Sequence, residues 1–222
     1  MNSFFDHLDP DTADEVQRLS RLAYELREHR RQVLAAAGAA DEDALLARIR
    51  SGELAEHPAY EHYLAARILG ATQVAARAAM SERLRSTGHA DAAKAGGEEG
   101  CVEGEAGAFH LQLAAELAAH YGPRLTAGPE LRQDALHLSL DNGITIEIRY
   151  AATDAYELEW TAAGARWRID TAPAHAAFAG AGSHLHCADG RVVADPLTHA
   201  GEAPWRNLRA LLDALLDGRA IA

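Results

Sequence analysis

The chain has 222 residues, of which 48% are hydrophobic, so it is long and apolar enough to bury a core, and intrinsic disorder is excluded. Its formal net charge of −12 disfavours a large nonspecific DNA-binding surface. An acidic protein can still bind nucleic acid through a local patch, but the overall charge gives no indication that this protein does so.

The sequence predicts a cytoplasmic protein without membrane contact. No run approaches the roughly 18 apolar residues of a membrane span, and the N-terminus lacks the basic and apolar parts of a signal peptide. Cys101 and Cys187 are the two cysteines and do not make a disulfide framework. Lys94 is the sole lysine beside many arginines and alanines, a bias typical of a high-GC bacterial genome.

Residues 1–87 predict a helical domain, arranged as a hairpin or as three helices. Apolar residues recur at helical spacing over residues 10–38, 41–52 and 58–86, and capping residues or proline stand near each start. Alanines on the apolar side of the last segment predict close helix–helix approach or self-association. We therefore expect this domain to form a homo-oligomer or to bind a protein partner.

The remaining chain predicts a linker and then an α+β domain. Residues 88–107 are rich in glycine, alanine and glutamate and lack apolar periodicity, which is typical of a flexible linker. Residues 108–222 begin with a helix and continue with apolar–polar alternation in about six segments. This alternation predicts an antiparallel sheet with one apolar and one half-solvated face. A helix after Pro204 ends the α+β fold.

His184 and His186 are the first candidate site. They are two residues apart on a predicted strand, so both side chains point to the same sheet face, where they could bind a divalent metal ion. Cys187 points to the opposite face and would need a bulge to join them. The alternative is a polar, solvated sheet face, because twelve histidines make a local cluster unsurprising. The further ligands considered are His175, Cys187, Asp189 and His199.

A second hypothesis places acid–base chemistry on the same sheet face without a metal. A histidine near Arg168 and a carboxylate has the groups needed to cleave a phosphodiester. The alternative is that cross-strand Glu–Arg pairs only stabilise a solvated face, each by well under about 1 kcal/mol. The charged residues that share this predicted face are Glu157, Glu159, Arg166, Arg168 and Asp170.

The last half of the chain carries short motifs in a fixed order. After an antiparallel meander from Leu136 come a histidine that follows a proline, a histidine-rich strand, an Asp-Gly turn with a strand, and a helix that begins with proline. These motifs are Pro173-Ala174-His175, His184-Leu185-His186, Asp189-Gly190-Arg191-Val192-Val193 and Pro204-Trp205-Arg206-Asn207-Leu208. In this order they resemble the TumE-like bacterial toxin family.

The resemblance implies a toxin that is encoded beside a helix-turn-helix antitoxin, which would be its partner. It implies His175, His184 and His186 as site residues on the sheet face. The helical first half departs from the family pattern, and we interpret it as a partner-binding or dimerisation addition.

Two functions stay open at this point. The first is a toxin-like component of a toxin–antitoxin or defence system that acts on RNA or nucleotides through the histidine-bearing sheet face. The second is a non-catalytic interaction or regulatory protein that oligomerises or binds a partner through its helical hairpin. For the first function the candidate catalytic residues are His184, His186, His175 and Arg168, with a divalent metal at His184 and His186 as the one cofactor considered.

Overall fold

The computed structural model describes residues 9–86, 105–173, 182–219 and 221. These ranges contain five α-helices and one antiparallel sheet, so the predicted α+β class is confirmed. The helices are α1 (Pro10–Ala36), α2 (Glu42–Arg50), α3 (Glu56–Ser86), α4 (Glu105–Tyr121) and α5 (Pro204–Leu216). The strands are β1 (Glu130–Arg132), β2 (Ala135–Ser139), β3 (Thr145–Ala152), β4 (Ala155–Ala162), β5 (Ala165–Asp170), β6 (His184–His186) and β7 (Val192–Ala194).

Two details differ from the prediction. The sheet has seven strands, and the added strand is β1, whose three residues are all exposed and therefore show no apolar alternation. Helix α4 begins at Glu105, inside the segment predicted as a linker. The earlier residues of that segment, 88–104, and His175 lie outside the described residues.

Helices α1 and α2 begin where side-chain oxygens cap free backbone N–H groups. Asp9 accepts a hydrogen bond from the Thr12 N–H at the start of α1, and Asp41 accepts one from the Ala44 N–H at the start of α2. Helices α1 and α3 pack along each other. The buried side chains that join α1, α2 and α3 include Leu34, Leu45, Ile49, Leu64 and Ile68.

The sheet is a meander in which each strand pairs with the next one along the chain. Its apolar face carries the main core, because alternate strand residues point to α4 and α5. The opposite face is polar, and its cross-strand pairs run in two rows. One row pairs Glu157 with Asp170 and then Asp170 with His184, whereas the other pairs Glu159 with Arg168 and then Arg168 with His186.

The start of α3 lies against this polar face. Ala151, Ala155 and Ala172 belong to the same buried cluster as the α3 residues, and such small side chains allow the helix to approach the sheet closely. The Tyr60 hydroxyl also makes a 2.8 Å hydrogen bond with the hydroxyl of Thr171. The face predicted to be half-solvated is therefore covered at this end, and the helix start is placed above Asp170.

Among the described residues, none of the helices combines the length and the apolar character that a membrane span requires.

His110 on α4 is a buried histidine that acts as a hydrogen-bond acceptor. Its Nε2 accepts a 3.1 Å hydrogen bond from the backbone N–H of Tyr150. Only the neutral imidazole can accept this bond, and burial, assisted by the nearby Arg149, lowers the pKa of His110 to about 4.

We expect this histidine to make the fold acid-sensitive. The pKa of His110 is lower in the folded than in the unfolded protein, so its contribution to stability is fully present above about pH 6.5. It is lost as the pH falls through about 4, and its upper limit is about 3 kcal/mol. His110→Gln, which keeps an acceptor but does not titrate, should lose less stability than wild type between pH 7 and pH 4.5 in urea unfolding. The control is His120→Gln, and equal losses in wild type and His110→Gln would contradict the prediction.

Candidate metal centre

Five side chains from α3 and the sheet converge on one point. Oε1 of Glu56 lies 2.9 Å from Nε2 of His184, 3.0 Å from Nε2 of His186 and 3.1 Å from Nε2 of His57. Asp170 completes the group, because its Oδ1 lies 3.3 Å from Nε2 of His184 and its Oδ2 lies 3.3 Å from Nε2 of His186. The centre thus offers three imidazole nitrogens and two carboxylates.

His186 is central among these groups, since its Nε2 is close to Glu56 and Asp170, and also lies 2.9 Å from Nε2 of His184 and 3.3 Å from Nε2 of His57. Asp170 uses both of its oxygens, because Oδ1 faces His184 whereas Oδ2 lies 3.6 Å from Nε2 of His57. Neighbouring ligands of an octahedral ion with bonds of about 2.1 Å are about 3.0 Å apart. The spacing therefore suits five ligands of one ion.

Hydrogen bonds explain this cluster less well than a shared cation does. A ring nitrogen carries at most one proton, yet Nε2 of His186 faces two other ring nitrogens and two carboxylates. Oδ2 of Asp170 is buried and accepts no hydrogen bond among the described residues. A buried polar atom without a partner is costly, and a metal ion at the centre would give this oxygen one.

The electrostatics of the centre favour positive charge. Burial alone would raise the pKa of Glu56, but hydrogen bonds from His184, His186 and His57 hold it well below its usual range. Burial opposes protonation of His57 and His186, but their carboxylate partners raise both pKa values to about 9. A divalent ion in place of these protons would supply the positive charge that the centre attracts.

Local backbone structure brings the ligands together. The antiparallel pairing of β5 and β6 places Asp170 opposite His184, and the two-residue period of β6 points His184 and His186 to the same face. At the start of α3, His57 has extended dihedral angles (φ −108°, ψ 134°) rather than helical ones. In an ideal helix, neighbouring side chains point about 100° apart around the axis. Because His57 is not helical, the side chains of Glu56 and His57 can both reach the sheet.

An outer layer of charged residues surrounds His57. Its Nδ1 lies 3.0 Å from Oε1 of Glu61. The same Glu61 oxygen lies 3.0 Å from Nη1 of Arg168. Glu157 lies beside them, and burial raises its pKa to about 7. His57, Glu61 and Glu157 form a second group with metal-binding atoms, but Nε of Arg168 lies 3.6 Å from Oε2 of Glu157. The guanidinium already supplies the positive charge there, so we assign only one metal position.

The residues predicted from the sequence have different places in this arrangement. His184 and His186 are both in the centre, whereas Arg168 belongs to the outer layer and His175 lies outside the described residues. Three other ligand candidates are elsewhere. Cys187 is buried in the core on the opposite face, Asp189 pairs with Arg191 at a turn, and the backbone of His199 binds Asn207.

Sequence reasoning did not find Glu56, His57 or Glu61, and it placed Asp170 only on a charged sheet face. The one available signal was His57 with Glu61, four residues apart and so on one side of a helix. That pattern is common among exposed helical residues. Nothing in the sequence links it to His186, which is 129 residues away from His57.

Comparisons of the chain with protein-family models, with curated proteins and with solved structures gave no match. The resemblance to TumE-like toxins therefore stays a prediction from the sequence, and the centre is interpreted from its own chemistry.

Proposed function

We propose that the protein is a metal-dependent hydrolase in which Glu56, His57, Asp170, His184 and His186 bind one divalent transition-metal ion. The observation that carries this proposal is the cluster of Glu56, Asp170, His184 and His186, whose metal-binding atoms all lie within 4.8 Å of one another. Nε2 of His57 borders this cluster, 3.1 Å from Oε1 of Glu56 and 3.3 Å from Nε2 of His186. The ion would lower the pKa of a bound water, and the resulting hydroxide would attack an ester or phosphate ester.

The ligand set indicates the class of metal. Three imidazoles favour manganese, iron, cobalt, nickel or zinc over magnesium and calcium, which prefer oxygen ligands. Cys187 is on the other side of the sheet, so among the described residues no thiolate at the centre selects a softer ion. Five candidate ligands favour an ion that accepts five or six ligands over one restricted to four.

The exposure of the ligands supports a catalytic role. Asp170 and His184 are buried, but His57 is 25% exposed and His186 is 22% exposed. One side of the centre is therefore held by the protein interior, and another is within reach of solvent. A catalytic metal needs such a side for water and substrate, whereas structural zinc sites are closed.

Hydrolysis of phosphate esters includes cleavage of RNA. The RNA-directed toxin predicted from the sequence is thus one version of this proposal, and the metal would be its cofactor at His184 and His186. The cytoplasmic location, the antitoxin partner and homo-oligomerisation through the helices remain predictions from the sequence.

A structural role for the metal is the second candidate. It is favoured by the origin of the ligands, because Glu56 and His57 come from α3 whereas the other three come from the sheet. An ion bound by both would join the helical first half to the sheet. This role agrees with the non-catalytic alternative that the sequence left open.

One set of measurements separates the two candidates. The purified protein is loaded in turn with Mn²⁺, Fe²⁺, Co²⁺, Ni²⁺ and Zn²⁺, and metal content is determined by mass spectrometry. Each form is then assayed with p-nitrophenyl acetate, p-nitrophenyl phosphate, bis(p-nitrophenyl) phosphate and an RNA oligonucleotide. We expect one equivalent of metal, and hydrolysis that is lost in His186→Ala and kept in the control His137→Ala, which changes another partly exposed histidine of the sheet.

The outcomes are distinct. If no metal binds at stoichiometric level, the proposal is overturned. If metal binds and raises the unfolding temperature, but none of these substrates is hydrolysed, the structural role replaces the catalytic one.

A further inference from the structure

We infer that Glu61 is a positioning residue of this centre, which fixes the ring orientation and the tautomer of His57 for metal binding. The inference rests on the proposed metal centre. Glu61 is four residues after His57 on α3, and its Oε1 lies 3.0 Å from Nδ1 of His57. The other nitrogen of the same ring, Nε2, points to Glu56, Asp170 and His186.

The two ends of the His57 ring therefore have different partners. A carboxylate can only accept a hydrogen bond, so Nδ1 of His57 must carry a proton that it donates to Glu61. In the neutral ring this leaves the lone pair on Nε2, where it is aimed at the centre. Histidine ligands commonly donate their second N–H to a carboxylate, which orients the ring and increases its basicity.

Arg168 keeps Glu61 in this outer position. Its Nη1 contacts the Glu61 oxygen that accepts from His57, and its Nη2 lies 2.8 Å from Oε2 of Glu159. The arginine is thereby held between carboxylates, and it ties Glu61 to the sheet. Glu61 is thus fixed from one side by its helix and from the other by β5. This arrangement gives Arg168 a place in the site without contact to the metal position.

The test is a double-mutant cycle that measures metal affinity. Wild type, Glu61→Gln, His57→Ala and the double variant are titrated with Mn²⁺ or Zn²⁺ in competition with a chromophoric chelator. Loss of an outer carboxylate partner typically lowers metal affinity by about 10- to 100-fold. We expect that loss for Glu61→Gln, and we expect no further effect of Glu61→Gln when His57 is absent. Arg168 keeps Glu159 as a partner in this variant, so folding should be retained.

Two further readouts separate positioning from a general effect on folding. The ¹⁵N shifts of the His57 ring should show a protonated Nδ1 in the metal-loaded wild type and a mixture of tautomers in Glu61→Gln. Glu116→Gln is the matched control, because it changes the carboxylate of another His–Glu pair four residues apart, with His120 on α4, outside the centre. It should keep metal affinity close to that of wild type.

The inference is overturned if Glu61→Gln binds metal as tightly as wild type, or if it weakens binding equally with and without His57. Either result leaves the proposed centre intact. Absence of metal binding in wild type would instead refute the proposed function itself.

Discussion

Replacing His184 with alanine is expected to lower the affinity for divalent metal by about 1000-fold or more. Loss of an outer carboxylate alone costs about 10- to 100-fold, and loss of a direct ligand should cost more. His184 is also the most enclosed of the three histidines, with 2% of its side chain exposed. The measurement is a competition titration with the same chelator.

The metal should also stabilise the wild type and have little effect on the variant. An ion at 100 times its dissociation constant stabilises the folded state by about 2.7 kcal/mol, which thermal unfolding detects readily. His137→Ala serves as the control, because His137 pairs with Glu147 on β2 and β3, outside the centre. Unchanged metal affinity in His184→Ala would exclude this residue as a ligand.

The sequence alone was enough to place the two histidines of β6 correctly. Period-two alternation placed His184 and His186 on one face of a strand and Cys187 on the other, because side-chain direction in a strand follows directly from sequence spacing. The helix half could not be found in this way. Glu56 is 128 residues before His184, and their contact depends on how α3 packs against the sheet. No local sequence pattern predicts how a helix packs against a sheet that is distant in the chain.

The prediction of a solvated sheet face was wrong for the end of the face that lies under α3, and for the same reason. Alternation showed correctly that Glu157 and Asp170 share a face, but it could not show that a helix covers part of that face. Glu157 is 1% exposed and Asp170 is fully buried. Ala151, Ala155 and Ala172 gave the one local indication, because small side chains on a sheet face leave room for a helix. The Glu–Arg pairs near them are therefore not the weak surface pairs that the sequence suggested.

A substitution of Arg149 tests whether the charged pairs on this face stabilise the protein more than exposed pairs do. Its guanidinium contacts three carboxylates, with 2.8 Å to Asp134, 2.8 Å to Glu157 and a further close contact with Glu147. Arg149→Met should destabilise the protein by about 3–5 kcal/mol in urea unfolding, because the variant leaves the buried Glu157 without its nearest cation. An exposed pair would cost only about 0–1 kcal/mol.

A second substitution and a matched control make this prediction specific. Adding Glu157→Gln to Arg149→Met removes the uncompensated charge and should restore a large part of the lost stability. Arg124→Met breaks an ion pair with Asp141 of similar length, 2.7 Å, in which both side chains are more than 40% exposed. It should change stability far less than Arg149→Met does. If Arg149→Met and Arg124→Met have equal effects, the sheet face beside the centre behaves as solvated. The low exposure of Glu157 would then have no energetic consequence, and the prediction would be wrong.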